Sequence, residues 1–274
     1  MAIQENISLE EYKKLQDFIY KKSGMFFPVS RKGYIEKRVL KRMEALRFDK
    51  FDTYFNILKK EILRTEIINL FNVITINETF FFRDIPQLKA LKNHIIPELI
   101  KNGKKSINIL SAGCSSGEEA HTIAIIMKEN FPKISFTVTG IDISDLVIAK
   151  AKRAEYSEYA VRFIPKNYFE KYFTKLENGN FKYKDELKRG IDFKKVNLVE
   201  FDKANLRKPF DVIFCRYVLI YFDKESKKGV VKSFYNNTAK SGYFIMGNSE
   251  SLFSVSEDYQ MLHFPSAIIY KRRD

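Results

Sequence analysis

The sequence predicts an α/β fold with a small all-α N-terminal region and a small β insertion. Three observations carry this reading. Apolar residues recur at helical spacing through residues 1 to about 75; from about residue 106 short apolar runs alternate with helical stretches; and a glycine-bearing loop follows the first of those runs. The chain has 274 residues, enough for one large or two modest domains. Hydrophobic residues make up 45% and charged residues 30%, which excludes wholesale disorder. No apolar run approaches the length of a membrane span, and MAIQENISLEEY has no apolar core of a signal peptide. Two cysteines, Cys114 and Cys215, form no disulfide framework and point to a reducing compartment. A formal charge of +14 calls for an anionic partner: nucleic acid, an acidic membrane or an acidic protein surface.

Residues 1–76 read as a helical domain. Ser8 with Glu11 is a capping box, in which each side chain satisfies a backbone N–H of the other, and Tyr12, Leu15, Phe18 and Ile19 follow at helical spacing. A second helix over about 31–47 has an apolar stripe of Ile35, Val39, Met43 and Leu46. Asp52 and Thr65 are the expected caps of two further helices. Residues 77–105 read as a linker with its own helix. The α/β domain then spans 106–274. Strands are expected over 106–113, 136–143, 210–217, 241–249 and 266–272, with helices over 116–131, 145–156 and 223–239, giving a largely parallel sheet covered on both faces. Residues of about 157–190 interrupt the alternation as an insertion or a lid, in which Asn178-Gly179 marks a hairpin.

The positive charge is unevenly placed. Residues 1–75 contain 15 basic and 10 acidic residues; the segment 31–47 alone has seven basic and two acidic, so the rest balances at eight and eight. On a helical wheel Arg31, Lys37, Arg38, Lys41 and Arg42 fall to one side of the apolar stripe. Scattered charges usually only solvate a helix, but concentration on one side favours docking of an acidic surface, through association rate and salt-sensitive affinity. RNA would satisfy the same charge, although no aromatic-interleaved RNA motif accompanies it.

The segment ILSAGCSSGEEA sets Gly113 and Gly117 between a strand and a helix, where glycines let a backbone approach a nucleotide-like cofactor. Asp142 closes the next strand, near the ~20-residue separation at which an acid accepts from ribose hydroxyls. NAD and S-adenosylmethionine both fit such a frame. The loop lacks the full G-x-G-x-x-G, and Glu118 and Glu119 open the following helix. Carboxylates there suit the helix dipole but are poor neighbours for a pyrophosphate, so together the features favour the sulfonium cofactor.

NETFFFRD (77–84), SAGCSSGEEA (111–120), GIDIS (140–144), VNL (196–198) and FCRYVLIYF (214–222) occur together and in order. In these motifs the chain resembles the CheR family of chemotaxis receptor methyltransferases over almost its whole length. The resemblance implies a Rossmann-like S-adenosylmethionine-dependent methyltransferase domain with a small all-α N-terminal domain and a small β insertion. It implies methyl transfer to glutamate side chains of chemoreceptors in the cytoplasm, giving methyl esters for sensory adaptation and S-adenosylhomocysteine as co-product. By the same resemblance Asn77, Thr79 and Arg83 contact the cofactor from the linker, with Gly113 and Glu118 at the loop, Asp142 at the ribose, and Asn197 and Leu198 at the adenine. Tyr217 and Val218 complete the set, though the family usually has Asn at Tyr217; a tyrosine cannot supply an amide's donor and acceptor, but it can stack or bond through its hydroxyl. His121 stands where the family commonly has Tyr. Arg83 is the candidate for orienting charged groups and Tyr221 for lining the acceptor side. No metal is implied. The expected partners are cytoplasmic chemoreceptor helices, met by a monomer that reaches the membrane only through its receptor and without a tethering peptide; no nucleic acid is expected. Two alternatives stay open: a non-catalytic binding module of the same fold, motivated by Tyr217, and a basic RNA methyltransferase.

Overall fold

A computed structural model describes residues 4–60, 62, 65–75, 78–207 and 209–273. The chain divides into two units, one of residues 1–77 with Tyr221–Ser226, the other of Glu78–Ile220 with Lys227–Asp274.

The first unit is helical. Helix α1 (Leu9–Ser23) opens on the capping box: the Glu11 N–H donates to the Ser8 hydroxyl at 3.2 Å and the Ser8 N–H to the Glu11 carboxylate at 2.7 Å. It stops at Gly24, whose φ of 73° is the left-handed cap. Helix α2 (Lys32–Ala45) buries Ile35, Val39 and Met43, while Leu46 falls just past its end. The caps of α3 (Phe51–Lys59) and α4 (Glu66–Ile74) differ from expectation. Lys50 precedes α3, with Asp52 inside the first turn, and Thr65 is itself helical and makes no side-chain capping bond. Both helices instead depend on burial of Phe51, Tyr54, Leu58, Leu70, Phe71 and Ile74. Tyr221–Ser226 joins this unit through a Met25–Phe222 bridge and a 2.8 Å bond from the Phe26 N–H to the Tyr221 carbonyl.

The second unit begins with α5 (Ile85–Ala90), a π turn (Leu91–Ile95) and α6 (Ile96–Lys101). The main sheet contains β1 (Ser106–Ala112), β2 (Ser135–Asp142), β6 (Ile191–Lys195), β7 (Phe210–Phe214), β8 (Thr238–Ile245), β9 (Tyr259–Phe264) and β10 (Ala267–Arg272). Its order is β6-β2-β1-β7-β8-β10-β9; the first five run parallel, and β10 pairs antiparallel with both β8 and β9. Helices α7 (Glu118–Asn130), α8 (Asp145–Arg153) and α11 (Lys224–Asn237) are the crossovers. Ile107, Ile109 and Leu110 of β1 are all buried, as befits a central parallel strand covered on both faces. Strand β7 ends at Phe214 rather than at residue 217, because the chain turns at Tyr217 with φ 61°. Strands β6 and β9 carry too little apolar signal to be assigned from sequence: β6 buries only Phe193 fully, and β9 lies at the sheet edge.

The insertion holds β3 (Glu155–Tyr156), α9 (Glu158–Val161), α10 (Lys166–Tyr172), β4 (Phe173–Lys175) and β5 (Phe181–Tyr183), the strands forming an antiparallel sheet in the order β3-β5-β4. Gly179 makes the β4–β5 turn at φ 82°. Phe81 is the ring that ties the linker to this insertion. It is fully buried, edge-on to Tyr156 at 4.8 Å and to Phe173 at 5.1 Å, and its N–H donates to Ala160.

Candidate active site

The β1–α7 loop lies at the C-terminal edge of the parallel strands. Gly113 takes φ 73°, and its N–H and that of Cys114 both donate to the Ile141 carbonyl, at 2.8 and 2.9 Å. A Cβ at Gly113 would stand 2.3 Å from the Val218 side chain, so only glycine lets Val218 close on this loop. Gly117, at φ 93°, has another role than the expected approach to a ligand. Its missing Cβ would meet Ala151 at 2.9 Å, so it seats the start of α7 against α8.

Three carboxylates surround the loop. Asp142 accepts the N–H of Ser115 and of Ser144 on separate oxygens, each at 3.0 Å. The Ile143 N–H bonds this carboxylate as well, and burial raises it above its ordinary range. Glu118 is buried and receives the Ser116 hydroxyl at 2.9 Å; burial pushes it up to about 7. Glu119, the other helix-start acid, accepts the Ser111 hydroxyl at 2.6 Å and Arg216 Nε at 2.5 Å. His121 is enclosed by Phe81, Tyr156, Tyr183 and Phe193; its Nδ1 lies 2.8 Å from the Gly117 carbonyl. Burial drives its pKa down to about 3, so this imidazole is neutral at physiological pH.

Arg216 organises the far side. It is buried, pairs with Glu119 and with Asp84 at 3.2 Å, and donates to the Arg83 carbonyl at 2.8 Å. Tyr217 donates its hydroxyl to the same Asp84 at 2.7 Å and presents its ring to the Arg83 guanidinium at 3.9 Å. Glu250, which follows β8, accepts the N–H of Tyr217 and of Gly247, fixing this turn. Phe82, Asp84 and Tyr217 all hold left-handed φ values near 60° without being glycine, a concentration of backbone strain of the kind functional sites carry. Sequence reasoning missed Arg216, Asp84 and Glu250. The available signal was a charge, Arg216, closing an apolar run that reads as a buried strand.

The remaining expected residues are placed as follows. Thr79 and Val218 are half-buried, Leu198 is buried, and the Asn197 side chain accepts the Val199 N–H at 3.4 Å. Asn77 lies outside the described residues. Tyr221 belongs to the first unit, its ring 6.1 Å from Phe27. In α2 and the turn before it, Arg31, Lys37 and Lys41 are exposed, Arg38 lies 3.5 Å over the Tyr34 ring, and Arg42 makes a two-pronged ion pair with buried Glu66. Among the described residues, no cluster of His, Cys, Asp and Glu could hold a metal ion.

The donor set fits a cationic, phosphate-free nucleoside cofactor. No Lys or Arg occurs in residues 111–120, so the loop offers no charge for a pyrophosphate, while Glu118 would suit an α-ammonium and the Asp142 carboxylate a ribose diol. An α/β sheet bearing this loop, and an acid at the end of its second strand, defines an S-adenosylmethionine-dependent methyltransferase. Residues 77–268 match the CheR methyltransferase, SAM binding domain, and residues 10–75 the CheR methyltransferase, all-alpha domain. The sequence is 31% identical to chemotaxis protein methyltransferase 2 of Vibrio cholerae, covering 95% of this chain and 92% of that one. It is 35% identical to a chemotaxis protein methyltransferase of Borreliella burgdorferi, covering 90% of each. The chain belongs to the CheR methyltransferase family, and its cofactor is S-adenosylmethionine.

Proposed function

We propose that this protein methylates glutamate side chains on cytoplasmic helices of chemoreceptors, forming γ-glutamyl methyl esters. The observation that carries the reading is Arg83. Its guanidinium stacks on Tyr217, donates to the Glu78 carbonyl at 2.7 Å and pairs with no carboxylate among the described residues, which leaves it able to orient an anionic acceptor. The names of the relatives supply the acceptor's identity. A glutamate has a pKa near ~4.3 and is already a nucleophile at neutral pH, so a site whose one nearby histidine is neutral and buried lacks nothing. When bound, S-adenosylmethionine supplies a methyl group on a cationic sulfur. The chain's own contribution is placement, worth as much as about 7–11 kcal/mol, and exclusion of water from the acceptor carboxylate.

In this reading Thr79, Arg83, Gly113, Glu118, Asp142, Asn197, Leu198, Tyr217 and Val218 form the cofactor side, with Asn77 assigned by resemblance. Tyr221 is assigned to the acceptor by resemblance alone. Arg31, Lys37, Arg38 and Lys41 are proposed to steer the acidic receptor surface, with Arg42 holding the helix to Glu66. A cytoplasmic location belongs to the same proposal and follows from the proposed acceptor, the cytoplasmic helices of chemoreceptors.

The test is methyl transfer from radiolabelled S-adenosylmethionine to a chemoreceptor cytoplasmic fragment. Label released as methanol by mild alkali is expected. Alkali-stable label on RNA instead would transfer the protein to the nucleic-acid methyltransferases.

A further inference from the structure

Beside the site an exposed cluster is built around a second arginine. The Arg162 guanidinium lies 3.5 Å from the Tyr159 ring centroid, 4.1 Å from Phe80 and 4.5 Å from Phe163. Tyr159 and Phe163 are 51% and 53% exposed although each packs on Phe80. The Arg83 guanidinium lies 5.7 Å from the centroid of the same Phe80 ring. Two guanidiniums therefore alternate with rings from the surface inward: Tyr159 and Phe163, Arg162, Phe80, Arg83, Tyr217.

Arg162 donates to the Tyr159 carbonyl and also bonds the Tyr159 hydroxyl, and no acid pairs with it among the described residues. The acids close by are otherwise placed: Glu78 takes the Tyr159 hydroxyl, and Glu158 is exposed at the start of α9. A guanidinium whose faces are stacked keeps its edge N–H groups for a planar anion and has lost little freedom still to be lost on binding. The cluster is also firmly mounted, since Ala160 of α9 accepts the N–H of buried Phe81, next to Phe80.

We infer that the Tyr159–Arg162–Phe163–Phe80 cluster is a docking surface for the acceptor helix, with Arg162 receiving a carboxylate beside the one methylated and the rings covering that helix's apolar side chains. The inference rests on the reading of the chain as a receptor-glutamate methyltransferase. Charge complementarity selects an acidic protein helix over a nucleic acid. A strand with a phosphate at every nucleotide would meet Glu78 and Glu158 as well as the one arginine, whereas a single carboxylate meets only the guanidinium.

The experiment uses the full chain and a chemoreceptor cytoplasmic fragment from the same genome. Steady-state methylation is measured for the unaltered protein, Arg162→Gln, Arg162→Lys and Phe163→Ser, with calorimetric titration of S-adenosylhomocysteine into each. Arg162→Gln is expected to raise KM for the receptor about tenfold with kcat within about twofold, Arg162→Lys to raise it less, and the cofactor-product affinity to stay unchanged. Unchanged KM in both Arg162→Gln and Phe163→Ser overturns the docking surface alone. Parallel loss of S-adenosylhomocysteine affinity overturns it too, by showing that the cluster holds the fold. If the unaltered protein forms no alkali-labile ester, the functional reading fails and the inference with it.

Discussion

The Arg83 guanidinium rests 3.9 Å from the Tyr217 ring, and the Tyr217 hydroxyl is bonded to Asp84, the next residue after that arginine. One side chain thus supports two consecutive residues of the linker motif, at a position where the family usually has Asn. The arrangement is maintained against a backbone preference, since a left-handed φ at a non-glycine residue costs about 1–2 kcal/mol.

The first prediction separates ring from hydroxyl. Tyr217→Phe keeps the cation–π contact, and Asp84 keeps Arg216, so receptor methylation should stay within about threefold. Tyr217→Leu removes the contact, worth about 1–2 kcal/mol at a partly desolvated site, and should lower kcat/KM about 5–30-fold. Equal rates for the two variants would show that Arg83 does not depend on the ring.

Asp142→Ala should do two things at once. It removes an acceptor proposed for the ribose, so S-adenosylhomocysteine should bind at least tenfold more weakly by calorimetry. It also strands the Ser115 and Ser144 N–H groups, which should lower unfolding stability by about 1–3 kcal/mol in urea. Unchanged affinity with lowered stability would confine Asp142 to a structural role.

Glu118 should impose a pH dependence. Its folded pKa of about 7 lies above the ordinary 4.5, so between these values the folded chain holds a proton that the unfolded chain has released. This residue's contribution to stability therefore falls as pH rises from about 4.5 to 7, and the burial penalty is fully present above that window. An α-ammonium favours the ionised form, so S-adenosylhomocysteine affinity should rise between pH 6 and 8. His121, at about 3, is silent there. Titrations at three pH values should show the rise in the native protein and a flat profile in Glu118→Gln; a rise in both would assign it elsewhere.

What was legible in the sequence follows from local physics. The capping box, the apolar stripe of α2 and the β1–loop–α7 unit are each specified by residues within a few positions of one another, and each is formed. The end of β7 was not legible, because the left-handed turn at Tyr217 is held by partners far away in sequence, Asp84 and Glu250. Glu119 looked like an ordinary helix-start acid until Arg216, 97 residues on, was found bonded to it. Gly117 looked like a ligand-facing glycine until Ala151 filled the space beside it. Long-range pairing of polar groups was the part that no spacing rule could supply.

The basic helix yields the last prediction. Among the five cations proposed for docking, Arg42 differs from the rest: it grips Glu66 through Nε at 2.9 Å and Nη2 at 2.5 Å, and the same carboxylate accepts the Tyr54 hydroxyl at 2.9 Å. Glu66 is almost wholly buried, so removing Arg42 leaves an uncompensated interior charge, a loss of the order of 3–5 kcal/mol. Arg42→Glu should therefore destabilise the helical unit and tell nothing about docking. Lys37→Glu with Lys41→Glu changes only exposed side chains, so the urea midpoint should hold, while kcat/KM for the receptor should fall several-fold at low salt and converge on the native value at high salt as the steering field is screened. Salt-independent rates in that double variant, with the midpoint unchanged, would remove α2 from receptor recognition and leave its charge as solvation of a helix face.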